Sequence, residues 1–288
     1  MRYFIATVSI ILIPLAACAD RRLQDCSDCP QLRLVAGGSF EMGYDKSEAN
    51  PETDATPVHT VSIGYDFAVS VNEITKQQFA FFVASSGHQP KNECNIYESN
   101  SWFVKEGLNW TDPGFEQTQS EPVVCVSWHD AQAYVHWLSK QTGKNYRLLS
   151  EAEWEYIATN RGADGQLDDI SYDTANLGAV ECCGPRRFGK DSWDRTAPVG
   201  SFPPDALGLN DVRGNVWEWV SDCYHDGYTN APTDGTAHDD DCSATDSRVV
   251  RGGSYGDDIF YLRAGYRLRA PSDNGYFTLG FRIARDAE

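Results

Sequence analysis

The sequence predicts an α+β fold built as a single loop-rich domain, and three observations carry that expectation. Strand-like alternation comes first, three helical segments with their own start residues follow, and the remainder is rich in Gly, Asp and Asn with little helical period. At 288 residues, 41% hydrophobic and 23% charged, the chain buries a core and is not disordered by composition.

Val35 to Gly43 reads as a strand with a glycine turn, and His59-Thr-Val-Ser-Ile63 alternates as a half-buried strand should. Thr75 followed by Gln78 makes a capping box; Phe79, Phe82 and Val83 then share one helical face until Gly87 stops it. Ser127 caps a second helix, with Asp130 in its first turn, an inward stripe of Ala131, Val135 and Leu138, and Gly143 at its end. Ser150 and Glu153 open a third, which carries Trp154 and Ile157. Beyond it the composition suggests short strands joined by long loops, with no internal repeat.

A formal net charge of -18 argues against nucleic acid or an anionic lipid surface as a partner and favours a cation such as calcium. The first residues read as a targeting segment. Arg2 supplies the charge, Phe4 to Leu15 an apolar run too short to span a bilayer comfortably, and Leu15-Ala-Ala-Cys18 a close resembling a bacterial lipobox. Cys18 is then the lipidated first residue of an exported protein anchored in the bacterial envelope, in the periplasm or at the outer membrane. An ordinary signal peptide cut at small residues is the alternative. The expected layout is a signal peptide over 1–17, a lipidated tether over 18–31 and the folded domain over 32–288.

Export makes disulfides the default for the other cysteines. Cys223 and Cys242 bracket a polar loop and form the favoured pair, with Cys94 and Cys125 second. Cys26 and Cys29 suit a disulfide at the base of the tether, because no second CxxC completes a zinc site. Vicinal Cys182 and Cys183 fit either a bridge to each other or two longer ones.

Gly-Gly-Ser-Phe-Glu-Met-Gly, Pro-Val-Val-Cys-Val-Ser-Trp, Tyr-Arg-Leu-Leu-Ser-Glu-Ala-Glu-Trp-Glu-Tyr, Thr-Ala-Pro-Val-Gly, Gly-Asn-Val-Trp-Glu-Trp, Arg-Gly-Gly-Ser-Tyr and Leu-Gly-Phe-Arg occur here in that order. From about Leu32 to Arg285 the chain thereby resembles the formylglycine-generating enzyme, or sulfatase-modifying factor, superfamily. The resemblance implies a variant of the C-type lectin fold and two structural calcium positions. Asn176, Leu177, Asp191 and Trp193 match the first; Asp211, Gly214, Val216 and Glu218 match the second. Carboxylates, an amide oxygen and backbone carbonyls are the hard donors that calcium takes. The Asp239-Asp-Asp241 run reads as a solvated loop.

Members of the superfamily that make formylglycine bind copper(I) through two cysteines soon after Gly-Gly-Ser-Tyr. Here that stretch is Gly256-Asp-Asp-Ile-Phe-Tyr-Leu-Arg-Ala-Gly-Tyr-Arg267, and no cysteine follows Cys242, so copper and its oxidase chemistry are disfavoured. The six histidines lack the spacing of the superfamily's iron branch, and His129 and His136 read as helix-surface residues. The resemblance places Trp217, Ser254 and Tyr255 in a ligand cleft, with Asp257, Asp258, Phe260 and Tyr261 nearby. Aromatics beside carboxylates suit a cationic or hydroxylated ligand.

Three functions compete. The preferred one is an exported lipoprotein whose domain has no copper and serves as a binding or accessory module for a small-molecule or protein ligand. The second is a cysteine-independent periplasmic oxidoreductase or maturation factor, like the superfamily member of pyoverdine maturation. The third is a lectin-type display protein diversified by a retroelement. The copper oxidase itself stands behind these three.

Overall fold

The computed structural model describes residues 22–44, 54–159, 170–178, 189–240, 242–243 and 246–287. Cys18, Cys182, Cys183 and Asp241 lie outside them. The five-stranded sheet joins β1 (Arg22–Leu23), β2 (Leu32–Val35), β5 (Phe67–Ser70), β13 (Ala284–Asp286) and β8 (Tyr146–Arg147), in that spatial order. Every pair in it is antiparallel. The C-terminal strand thus sits between two earlier ones, and residues ahead of the expected boundary at Leu32 already belong to the sheet. A four-stranded sheet runs β11 (Arg267–Pro271), β10 (Ser247–Arg251), β9 (Trp217–Cys223), β12 (Leu279–Gly280), with only the β9–β12 pair parallel. Two hairpins complete the strands: β3 (Gly38–Met42) with β4 (His59–Ile63), and β6 (Glu93–Glu98) with β7 (Ser101–Glu106). The expected segment from Val35 to Gly43 therefore splits at Ala36–Gly37 into β2 and β3. The split follows from backbone crowding, because a Cβ on Gly37 would lie 2.5 Å from the carbonyl oxygens of Ile63 and Tyr65.

The three helices start where their caps dictate. In α1 (Lys76–Ser86) the Thr75 hydroxyl accepts from the Gln78 amide at 3.2 Å, while Gln78 Oε1 accepts from the Thr75 amide at 3.0 Å. Ser127 and Asp130 repeat this reciprocal arrangement in α2 (Trp128–Thr142), and Ser150 and Glu153 in α3 (Glu151–Ala158). Gly87 and Gly143 end the first two in the left-handed conformation, at φ 72° and 71°. Phe79 and Phe82 of α1 meet Tyr134 of α2 over Phe281, which makes one core between the helices and the sheets. A second core lies under α3, where Trp154 packs with Val220, Val249 and Ala284.

Charge is buried beside these apolar cores. Arg267 of β11 donates from Nε and Nη2 to the two oxygens of Glu151, both at 2.8 Å. Arg251 of β10 donates to Glu155, and Arg282 donates from Nε to Glu218 of β9 at 2.7 Å. Trp154 Nε1 also donates to Glu218, at 2.6 Å. All three arginines and all three glutamates are buried. Burial works against the Glu151 charge, but Arg267 and Arg251 hold its carboxyl below the usual range. Burial pushes the Glu155 carboxyl up despite Arg251.

The structure pairs Cys94 with Cys125, Cys223 with Cys242 and Cys26 with Cys29, at Cα separations of 5.2, 6.0 and 5.0 Å. These are the pairs the sequence favoured.

Removing one member of a buried ion pair leaves the other charged and unsolvated. Arg251→Met should lower the unfolding free energy by about 3–5 kcal/mol, because Glu155 would keep only the Gly43 amide as a donor. The urea midpoint reads this, and the double variant Arg251→Met/Glu155→Gln should recover part of the loss. A single-variant midpoint equal to that of the parent would refute the electrostatic reading.

Candidate functional site

The residues that the sequence grouped into one cleft divide between two places. Trp217 lies on β9 with its indole facing a trough of about 340 Å³ that is also lined by Trp102, Tyr276, Val250, Leu268, Ala270, Leu279, Asn95 and Thr278. Sheet pleating explains the grouping: Trp217, Val250, Leu268, Ala270 and Leu279 share one face, as the pairings Trp217–Leu279 and Val250–Leu268 require. Arg269 also borders the trough, but it points to the opposite face, where its guanidinium lies 5.0 Å from the Tyr224 ring centroid. It meets the trough through its backbone.

Ser254, Tyr255, Asp257, Asp258 and Tyr261 do not line the trough. They form the structure behind it. Asp257 Oδ2 accepts from Trp217 Nε1 at 2.8 Å, from the Ser254 amide at 3.0 Å and from the Ser254 hydroxyl, so the carboxylate holds the indole rather than a ligand. Asp258 accepts from the Phe260 amide in a tight turn. Tyr255 is buried and donates its hydroxyl to the Phe277 carbonyl at 3.1 Å. Arg195 packs over that ring and those of Phe115 and Phe277, at 5.6–5.8 Å. Tyr261 and Phe260 stack edge-on against Tyr266, whose ring is 6.1 Å from Trp217. The expectation of a cationic ligand rested on carboxylates in the cleft, and neither Asp257 nor Asp258 is among the residues lining the trough. What the trough offers is aromatic and aliphatic surface with amide, phenol and hydroxyl groups.

The residues matched to the two calcium positions adjoin one another. Asn176 donates its amide N–H to the Arg195 carbonyl at 2.9 Å and to Asn215 Oδ1 at 3.1 Å. Its own Oδ1 is buried without a hydrogen-bond partner among the described residues, which costs stability unless something else meets it. Asp191 accepts from the amides of Leu177 and Trp193 at 3.1 and 3.2 Å, so one carboxylate gathers the loop whose carbonyls belong to the first position. This donor set fits a hard cation. Gly214, at φ 96°, brings the second position against the first: a Cβ there would lie 2.6 Å from the Asn176 carbonyl oxygen. Val216 donates its amide to Glu73, and Glu218 already serves Arg282 and Trp154. Asp211 Oδ2 accepts from the Gly200 amide at 2.7 Å. Burial, with Asp211 and Glu218 nearby, raises the Glu73 carboxyl well above the usual carboxylate range. Among the described residues no group of three or more His, Cys, Asp or Glu side chains is placed to hold a metal, so a cation here depends on amide and backbone oxygens. Among the described residues no thiolate pair suits copper(I), because all six described cysteines are in disulfides.

Glu73, Arg282, Trp102 and Tyr276 were absent from the sequence-level site. Trp102 and Tyr276 come from a hairpin and a loop remote in sequence from Trp217, and only the folded chain brings them to one trough. The one sequence signal was the exposed aromatic run around Trp102.

Burial pushes the Asp257 carboxyl up to about 6 against the pull of its donors. In the unfolded chain the group titrates near 3.8, so the native state holds the extra proton between those values, and this contribution to stability is lost as pH rises through about 6. Trp217 emission should therefore titrate with a midpoint near pH 6, and Asp257→Asn should abolish that transition. A midpoint near pH 4 would remove the link between burial and ionisation.

A model of the sulfatase-modifying factor enzyme 1-like domain matches residues 19–287. The formylglycine-generating enzyme of Streptomyces coelicolor is 33% identical over 293 residues, covering 90% of each chain. The protein of Mus musculus named inactive C-alpha-formylglycine-generating enzyme 2 is 26% identical, covering 96% of this chain and 92% of its own. Among solved structures, PvdO from Pseudomonas aeruginosa superposes with a TM-score of 0.76 at 33% identity, over 93% of this chain and 98% of that one. With a family model spanning nearly its whole length and relatives matched end to end, the chain belongs to the formylglycine-generating enzyme (sulfatase-modifying factor) family and has its mixed α+β fold.

Proposed function

We propose that this chain is an exported, lipid-anchored member of the family that works without a copper thiolate pair and binds a neutral aromatic or hydroxylated group in the Trp217 trough. The observation that carries this reading is the replacement of thiol chemistry after Gly253-Ser-Tyr. Asp257 there fastens the Trp217 indole, and no cysteine follows Cys242. Three disulfides suit an oxidising compartment, and Cys18 supplies the anchor. Trp217, Tyr276 and Trp102 provide stacking surface, while Asn95 and Thr278 supply polar groups at its margin. A second reading is that the same trough holds a substrate for a cysteine-independent oxidoreductase or maturation step.

Calcium is proposed as a structural ion, held at the first position by Asn176 Oδ1, Asp191 and the carbonyls of Leu177 and Trp193. The second position, around Asp211, Gly214, Val216 and Glu218, would share its neighbourhood with Arg282. A bound ion supplies positive charge that pins loops lacking a helix or a sheet ladder, and it takes no part in chemistry.

Incubation with copper(I), oxygen and a sulfatase-type cysteine peptide should yield no formylglycine. Copper-dependent turnover would restore the oxidase and overturn the proposal. Calcium at one hundred times its dissociation constant should raise Tm by about 5–10 °C, and Asn176→Ala should remove most of that rise. A melting curve indifferent to chelator in the parent protein would dismiss the ion.

A further inference from the structure

We propose that the free edge of β7 is a docking strand for an extended, basic segment of another protein. All six residues of β7 are exposed, and Trp102, Phe103 and Val104 are consecutive large apolar residues at 45%, 40% and 48% exposure. Among the described residues the strand is hydrogen-bonded on one side only, to β6. An exposed apolar edge of this kind is a template for strand addition unless something covers it.

Hairpin register fixes which backbone groups are on offer. Ser99 and Asn100 both have positive φ, at 54° and 61°, which makes a two-residue type I′ turn, so the flanking Glu98–Ser101 pair is hydrogen-bonded. Alternation then makes Ile96–Phe103 and Cys94–Lys105 the next bonded pairs, and the Gly107 amide donating to the Asn92 carbonyl at 2.9 Å continues the series. Trp102, Val104 and Glu106 therefore turn their N–H and C=O groups outward. Outward groups recurring at every second residue match a β-strand.

The hairpin is held in place before anything binds. The Cys94–Cys125 disulfide ties β6 to the domain, the Asn95 amide donates to the Gly275 carbonyl at 2.8 Å, and the Phe277 amide donates to the Asn95 carbonyl at 3.1 Å. Docking would thus cost little ordering on this side. Charge selects the occupant. A net charge of -18 opposes the approach of a second copy and of an anionic bilayer, and it favours a basic chain. Glu106 has no ion-pair partner among the described residues, whereas Glu93 and Glu98 are engaged by Lys91 and Lys105. The proposal does not depend on what the Trp217 trough binds, although Trp102 borders both surfaces.

The test uses the full chain and a fluorescent peptide, Lys-Val-Thr-Phe-Thr-Val-Lys, with polarisation for affinity and hydrogen exchange for location. Binding should slow exchange at the amides of Trp102, Val104 and Glu106, and methylating alternate amide nitrogens of the peptide should abolish it. Val104→Pro removes an outward N–H without touching the β6 ladder and should weaken binding about tenfold or more with Tm retained. Should that variant melt early, the methylated peptide on the parent protein still decides the matter. Absence of binding, protection away from β7, or equal affinity for the methylated peptide would overturn the proposal. So would protection of these amides by self-association in the absence of peptide, or by phosphatidylethanolamine–phosphatidylglycerol vesicles.

Discussion

Arg251, Arg267 and Arg282 lie on or beside the four-stranded sheet, inside the protein, and their guanidinium groups reach glutamates of α3 and β9 there. A charge removed from water at this cost is tolerable only with its partner in place, so α3, β9, β10 and β11 are confined to the geometry that pairs Glu151, Glu155 and Glu218. The sheet ladders beyond α3 join these strands to one another, and the ion pairs join two of them to the helix. The arginines also tie down irregular chain: Arg267 donates to the carbonyls of Asp54 and His225, and Arg282 to that of Asn210. Loops that lack a ladder find fixed donors in the core.

The trough inherits this rigidity. Trp217 stands beside Glu218 on β9, so the strand that is held by Arg282 on one face presents the indole on the other. Asp257 fixes the ring from behind through its N–H. The Asp257 carboxylate is engaged by three donors, two from Ser254 and one from Trp217, so the loop after Gly253 is fastened to the strand that carries the indole. In the proposed reading, ligand recognition falls to aromatic surface. Such a surface depends on the placement of Trp102 and Tyr276, which the disulfide-held hairpin and the 275–277 loop provide.

The helices were legible in the sequence because their determinants are local. Thr75 with Gln78, Ser127 with Asp130 and Ser150 with Glu153 sit three residues apart, and the capping geometry needs nothing beyond that spacing. Trp217 was legible through its motif. Its supposed companions were less so: Ser254, Tyr255 and Asp257 follow a recognisable signature, yet that signature builds the support behind the trough. Glu73 and Trp102 gave no local sign of their distant neighbours, since Glu73 meets Asn215 and Val216, and Trp102 meets Tyr276 and Phe277, across more than a hundred residues of chain.

By itself, then, the sequence determined the helix starts, the family and the lack of cysteine after Cys242, and it favoured the disulfide pairs that the structure forms in the described chain, because each depends on local spacing, composition or an ordered set of motifs. Tertiary structure alone decided which side chains face the trough, that Asp257 serves Trp217, and that, among the described residues, Asn176 Oδ1 is buried without a partner and β7 keeps a free edge. Those outcomes turn on sheet register and on burial. A shift of one residue in pairing would send each side chain to the opposite face, and no local pattern in this loop-rich half records which face was chosen.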